Sequence, residues 1–225
     1  MKQLVRGVHR FQDEVEAQKE FYAKLAQGQS PGALFITCSD SRINPHLLTQ
    51  AQPGDIFVLR NAGNIVPPYG FHAGGESATI EYAIAALDIE NVIVCGHSHC
   101  GAITALLHPE RTENLPAVRS WLTHAETTRR ILAENYASIE DEEELVNIAI
   151  QENVLAQLEN LQTHPAVAAK IARGQLHLMG WVYRIETGDV FNYDNEVSQF
   201  LPLSNTPAEA PAKRLLKDAL FGGNG

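Results

Sequence analysis

Two short β-branched runs, Ala33-Leu34-Phe35-Ile36 and Asn91-Val92-Ile93-Val94, lead straight into segments that carry metal-type donors. The first segment holds Cys38 within FITCSDSR; the second holds His97 and Cys100 within VCGHSHCGA. The runs read as strands, and the glycines and small polar residues beyond them as loops at the strand ends. Helical patterns lie between them, which implies a mostly parallel sheet joined by right-handed crossovers. In such sheets functional loops gather at the carboxyl ends of the strands, where Cys38 and His97 fall. Two thiolates and one imidazole are one ligand short of a closed structural zinc site. An open fourth position is what a catalytic zinc needs to hold water and lower its pKa.

The rest of the chain fills out an α/β architecture. Apolar residues from Leu4 to Leu25 recur with roughly helical period, predicting an N-terminal helical arm over residues 1–28. Strands are expected near 33–37, 56–59 and 91–95, with helices opening at Glu76-Ser77, Gly101 and Pro116, the last running to about Tyr136. A further helix is expected over about 141–162, its acidic start Glu140–Glu144 complementing the helix dipole. Strands at 176–185 and 190–194 flank the Thr187-Gly188-Asp189 turn as a C-terminal antiparallel hairpin. Residues 29–203 therefore read as the catalytic unit: a central, mostly parallel β-sheet flanked by helices. Residues 204–225, rich in Pro, Ala and charge, read as a tail.

Charge and cysteine usage narrow the function. A net charge of −10 argues against nucleic acid or an anionic membrane as partner, and no apolar run approaches a membrane span. The start MKQLVRGVHRFQDEV lacks a secretory h-region, and three cysteines, an odd number, suit reduced thiols in a cytoplasm better than a disulfide framework.

H-x-x-C alone is a weak signal, but a thiol on a second strand end followed directly by Ser-Asp-Ser-Arg is much stronger. CSDSR and GHSHCG, joined by PGDIFVLRNAGN and ESATIEYAIAAL, resemble the β-class carbonic anhydrases from about residue 3 to residue 203. ENVLAQLENLQTHP and GWVYRIETG are similar to the bacterial branch that includes cyanate-operon and cyanobacterial carboxysomal members. The resemblance implies reversible hydration of carbon dioxide to bicarbonate, with one zinc per chain on Cys38, His97 and Cys100. It implies Asp40 and Arg42 as a catalytic dyad, and Gln29, Phe57 and Tyr82 as the lining of the carbon dioxide pocket. It also implies a homo-oligomer built from dimers. Carboxysomal recruitment through carboxysome proteins and supply of bicarbonate to cyanate breakdown both fit it.

The chemistry of these residue types agrees. A lone Asp40 beside zinc can close the fourth site, whereas the planar fork of Arg42 can hold that carboxylate away; both resting arrangements stay open at this point. Gln29 can donate to a developing bicarbonate oxygen. Because two thiolates cancel the formal charge of zinc, the metal should acidify water less than three imidazoles would, and activity should rise above neutrality.

Several neighbours have plainer readings. Cys95 sits in an apolar strand as a small buried side chain. His99 alternates with His97 and so faces away from the metal; His99 and His72 are weak proton-shuttle candidates. Some related members hold an inhibitory bicarbonate with Trp, Arg and Tyr. Here Arg60 and Tyr183 match but Phe35 stands at the Trp position, so that inhibition should be weak. The apolar stripe of the N-terminal arm should pack on a second subunit. Two rival functions use the same features: a carbon disulfide or carbonyl sulfide hydrolase with the same metal set, and a non-catalytic, zinc-stabilised assembly component.

Overall fold

The computed structural model describes residues 1–70 and 74–203. The expected tail over 204–225 and the candidate His72 lie outside the described residues. One six-stranded sheet organises the chain, in the order β2-β1-β3-β4-β5-β6. Its strands are β1 (Ala33–Cys38), β2 (Ile56–Asn61), β3 (Asn91–His97), β4 (His177–Tyr183), β5 (Val190–Asp194) and β6 (Gln199–Pro202). The first four are parallel and the last two antiparallel. Among the described residues, no helix is long and apolar enough to cross a membrane.

The β1 and β3 runs are continuous rather than alternating because both faces of the sheet centre are covered. Leu34, Ile36, Val92 and Val94 face one core, which also holds Ile150, Val154 and Leu158 of α8 (Glu142–Gln162). Phe35, Ile93 and Cys95 face the other, with Ile43, Trp181 and Tyr183 against them. Successive strand residues point to opposite faces, so every second residue of the run serves each layer.

The helices begin where local chemistry starts them. Asp141 caps α8 by accepting the Glu144 N–H at 2.8 Å, and Glu142, Glu143 and Glu144 occupy its first turn, favourable to the dipole. Pro45 opens α3 (Pro45–Thr49) behind an Asn44 cap. Three other helices cover the sheet: α4 (Gly75–Glu81), α5 (Gly101–Leu107) and α9 (Pro165–Ala172). The periodicity does not resolve α3, α9 or β6. Strand β6 is a short outer strand, where Pro202 is tolerated because its missing N–H costs no ladder bond.

Two expected helices are broken. The arm divides at Gln18 into α1 (Lys2–Ala17) and α2 (Lys19–Leu25), which sets Tyr22 edge-on against Phe11 at 5.8 Å between ring centres. The stretch after Pro116 splits into α6 (Pro116–Leu122) and α7 (Glu126–Asn135) across a tight turn at Thr123–Ala125. There the Thr123 hydroxyl donates back to the Ser120 carbonyl at 2.6 Å, competing for a backbone acceptor. Helix α1 has no buried residue; Leu4, Val5, Val8 and Phe11 are exposed along it.

Candidate metal centre

Three elements deliver the donors to one point. Cys38 is the last residue of β1, His97 the last of β3, and Cys100 caps α5. Between His97 and Cys100 the chain turns through Ser98 and His99, the latter at φ +54°. The ligand atoms of Cys38, His97 and Cys100 all lie within 4.8 Å of one another, and all three residues are buried. His97 extends the strand two residues beyond the expected end, which roots the imidazole in the sheet rather than in a loop.

The imidazole is oriented by its backbone. Nδ1 of His97 sits 2.8 Å from the Ser98 carbonyl, which assigns it the proton and leaves Nε2 as a lone-pair donor. That Nε2 is buried and has no hydrogen-bond partner among the described residues. A buried polar atom without a partner is expensive, and here its neighbours are two thiols. A metal ion satisfies all three atoms at once. Borderline-soft nitrogen and sulfur donors in this number suit zinc.

The thiols are unequal. The Cys38 Sγ lies 3.9 Å from that of Cys100 and accepts the Gly63 N–H at 3.3 Å. The Cys100 thiol beside it pulls Cys38 well below the ordinary thiol range; burial opposes this, and His97 and the Gly63 N–H assist. Cys100 is pushed up by that same neighbour and by burial. One thiolate therefore forms readily, and a divalent ion is what makes the second favourable. Cys95 is a different case. Complete burial raises its thiol far above the usual range, and it packs in the opposite core as a neutral side chain.

Asp40 stands at the mouth of this cluster, its Oδ2 3.9 Å from His97 Nε2. Arg42 holds it through Nε to Oδ1 at 2.9 Å, Nη2 to Oδ2 at 2.7 Å, and its own backbone N–H to Oδ1 at 2.9 Å. The same Nη2 also donates to the His99 carbonyl at 2.9 Å. Hydrogen bonding from Arg42 keeps the Asp40 carboxyl well below the usual carboxylate range, against a smaller opposing effect of burial. Of the two resting arrangements, the one described is Asp40 paired with Arg42.

Gln29, Phe57 and Tyr82 fall elsewhere. Phe57 pairs with Leu34 near the start of β1, whereas Asn61 pairs with Cys38 at its end. Four residues at roughly 3.3 Å each put Phe57 about 13 Å along the sheet from the donors. Tyr82 stays with Phe57, ring centres 6.0 Å apart, and is half exposed. Gln29 precedes Gly32, whose N–H bonds to Asp55 at the same amino edge of the sheet. Phe57 and Tyr82 therefore lie toward the edge opposite the donors, so one chain alone does not assemble the whole expected set.

Several supporting contacts, and some of the residues that make them, escaped the sequence reading. Arg60 donates Nε to the Cys38 carbonyl at 3.0 Å and Nη2 to the carbonyls of Asp40 at 2.7 Å and Ile43 at 3.0 Å, tying the CSDSR loop to β2. Glu186 accepts the Ser98 hydroxyl at 2.7 Å and faces His99 Nε2 at 3.6 Å, so the His99 ring turns to Glu186. Trp181 packs edge-on to Phe35 at 5.9 Å between ring centres, its buried indole N–H without a partner among the described residues. Asn153, Gln157 and Asn160 on α8 grip the loop that follows β2. The last group had a signal: amides at i, i+4 and i+7 within an apolar helix.

Comparison with known proteins follows the same outline. The carbonic anhydrase family pattern matches residues 33–190. A carbonic anhydrase of Synechocystis sp. is 48% identical over 214 residues, covering 94% of this chain and 78% of that protein. Among solved structures, the β-carbonic anhydrase CcaA superposes with a TM-score of 0.87 at 48% identity, covering 90% of this chain and 98% of that one. One of two tetrameric β-carbonic anhydrases from Sordaria macrospora superposes at 0.75 with 34% identity, covering 84% and 93%.

Proposed function

This chain belongs to the β-class carbonic anhydrases, zinc hydro-lyases that interconvert carbon dioxide and bicarbonate, and on that premise we propose how its own residues divide the task. Cys38, His97 and Cys100 would hold the zinc. Bound there, zinc supplies Lewis acidity that makes water acidic enough to attack carbon dioxide at moderate pH. Arg42 restrains Asp40 so that the carboxylate does not become a fourth ligand. Held in that way, Asp40 accepts a hydrogen bond from the attacking water and aims its lone pair at carbon. The observation that carries the reading is the partnerless, buried Nε2 of His97 beside two thiols and a carboxylate already engaged by Arg42.

The substrate pocket is completed by a second copy. Phe57 and Tyr82 provide apolar walls for carbon dioxide and Gln29 donates to the developing bicarbonate oxygen, but the register of β1 and β2 keeps Phe57 about 13 Å from the donors of its own chain, and Tyr82 stays beside it. The exposed stripe of α1 supports the same pairing, since its apolar residues need a surface to cover them. Similarity to a cyanobacterial relative supports recruitment to a carboxysome in carbon utilisation. The test is stopped-flow carbon dioxide hydration against pH, with zinc content and sedimentation velocity on the same sample. One zinc per chain, a dimer or larger, and activity rising above neutrality are expected. Zinc-free active protein, or a fully active monomer, would rule the reading out.

A further inference from the structure

We infer that Asn153, in the middle of α8 and fully buried, is a positioning residue for the metal centre that fixes the Gly63 peptide so that its N–H lies on the Cys38 sulfur. Asn153 Nδ2 donates to the Gly63 carbonyl at 3.0 Å, and Gly63 N–H donates to Cys38 Sγ at 3.3 Å. Asn153 is itself held: its Oδ1 accepts from Gln157 Nε2 at 2.9 Å and from the Thr128 hydroxyl at 3.4 Å. Gln157 Oε1 accepts the Val66 N–H at 2.8 Å, and Asn160 Nδ2 donates to the Val66 carbonyl at 2.9 Å. The amide row thus grips both ends of residues 63–66.

That segment has little freedom. Gly63 lies at φ +80° and Asn64 at φ +49°. A Cβ on Gly63 would come within 3.1 Å of the Ala102 Cβ on α5, the helix that Cys100 caps. Asn153 and Gln157 are satisfied by each other and by the peptides of residues 63–66, and the network they form ends on a ligand sulfur. An N–H donated to a thiolate withdraws electron density from it and so adjusts how strongly it binds and neutralises a metal. A purely structural role would only close the backbone groups of residues 63–66.

The inference rests on the zinc reading of the three donors, and cobalt(II) in place of zinc separates the two. Unmutated protein that takes up no cobalt at Cys38, His97 and Cys100 sinks the metal reading itself. In cobalt-loaded Asn153→Leu, the thiolate-to-metal charge-transfer band should move to lower energy as the sulfur loses its N–H donor, and metal affinity measured with a competing chelator should fall about tenfold as the Gly63 peptide no longer holds Cys38 in place. Leu158→Ala, on the same helix but packed on Gly180, should lower the Tm and leave the band in place. An Asn153→Leu protein with lowered Tm and an unmoved band would overturn the inference. Should that variant not fold, cadmium-113 NMR of the unmutated protein decides. A scalar coupling from cadmium to the Gly63 amide proton across the Cys38 sulfur is expected, and its absence would equally overturn the proposal.

Discussion

Gly96 is the residue before His97, and α8 passes over it so closely that a single methyl group is felt. A Cβ there would lie 3.0 Å from Cγ2 of both Ile150 and Val154, and 3.6 Å from the Ile150 carbonyl oxygen. Ordinary carbon–carbon separation is roughly 3.5–4.0 Å, so Gly96→Ala forces α8 back by about half an ångström or more. Overpacking of this kind costs about 1–3 kcal/mol. At roughly 2–4 °C per kcal/mol for a chain of this size, the Tm should fall by about 2–12 °C. Val154 also crowds Gly180, where a Cβ would sit 3.0 Å from its Cγ1. Adding Val154→Ala to Gly96→Ala should therefore give a loss smaller than the sum of the two single losses. Calorimetry on the four proteins measures this, with zinc content alongside because Asn153 rides on the same turn of α8. An unchanged Tm for Gly96→Ala, or strictly additive losses, would refute the close-approach argument.

Two further perturbations probe the site and its surroundings. Arg42→Gln removes both guanidinium bonds to Asp40 and should lower carbon dioxide hydration about 10–100-fold. Asp40 is ionised at neutral pH with or without Arg42, because even an ordinary Asp titrates near about 3.9, so raising the pH from neutrality should not close the gap to the parent; parent-level activity would count against the dyad. His164 is buried with Nε2 3.0 Å from the Pro67 carbonyl, and burial pushes its pKa below the usual imidazole value. The folded chain then binds fewer protons than the unfolded one, so this contribution is complete above about pH 6.5 and declines as pH falls below it. Urea titrations at about pH 7.5 and about pH 5.5 should show a smaller acid loss for His164→Gln than for the parent; equal losses would remove His164 from the account.

Much of the site was legible because its residues are local to strand ends. Cys38 and His97 each follow a β-branched run, and that pattern survives in any sheet that buries both faces of its centre. The Asp40–Arg42 fork was legible for a similar reason: two residues of separation is short enough for the pairing to form within one loop. The broken helices were harder to foresee. A tight turn at Thr123 depends on one hydroxyl choosing the Ser120 carbonyl, and the bend at Gln18 on where Tyr22 meets Phe11. Strand β6 is too short for an alternating pattern and exists through its pairing with β5.

By itself, then, the order of residues determined the donor types, their positions at strand ends and the α/β alternation, since each follows from side-chain chemistry and periodicity over a few neighbours. Only the tertiary structure decided which distant groups meet. Register placed Phe57 and Tyr82 toward the far edge of the sheet from Cys38, and helix packing carried Asn153 to a peptide 90 residues earlier. The physical reason is that sequence periodicity records which face a side chain presents, whereas contact between remote segments depends on strand register and on how closely helix and sheet can pack.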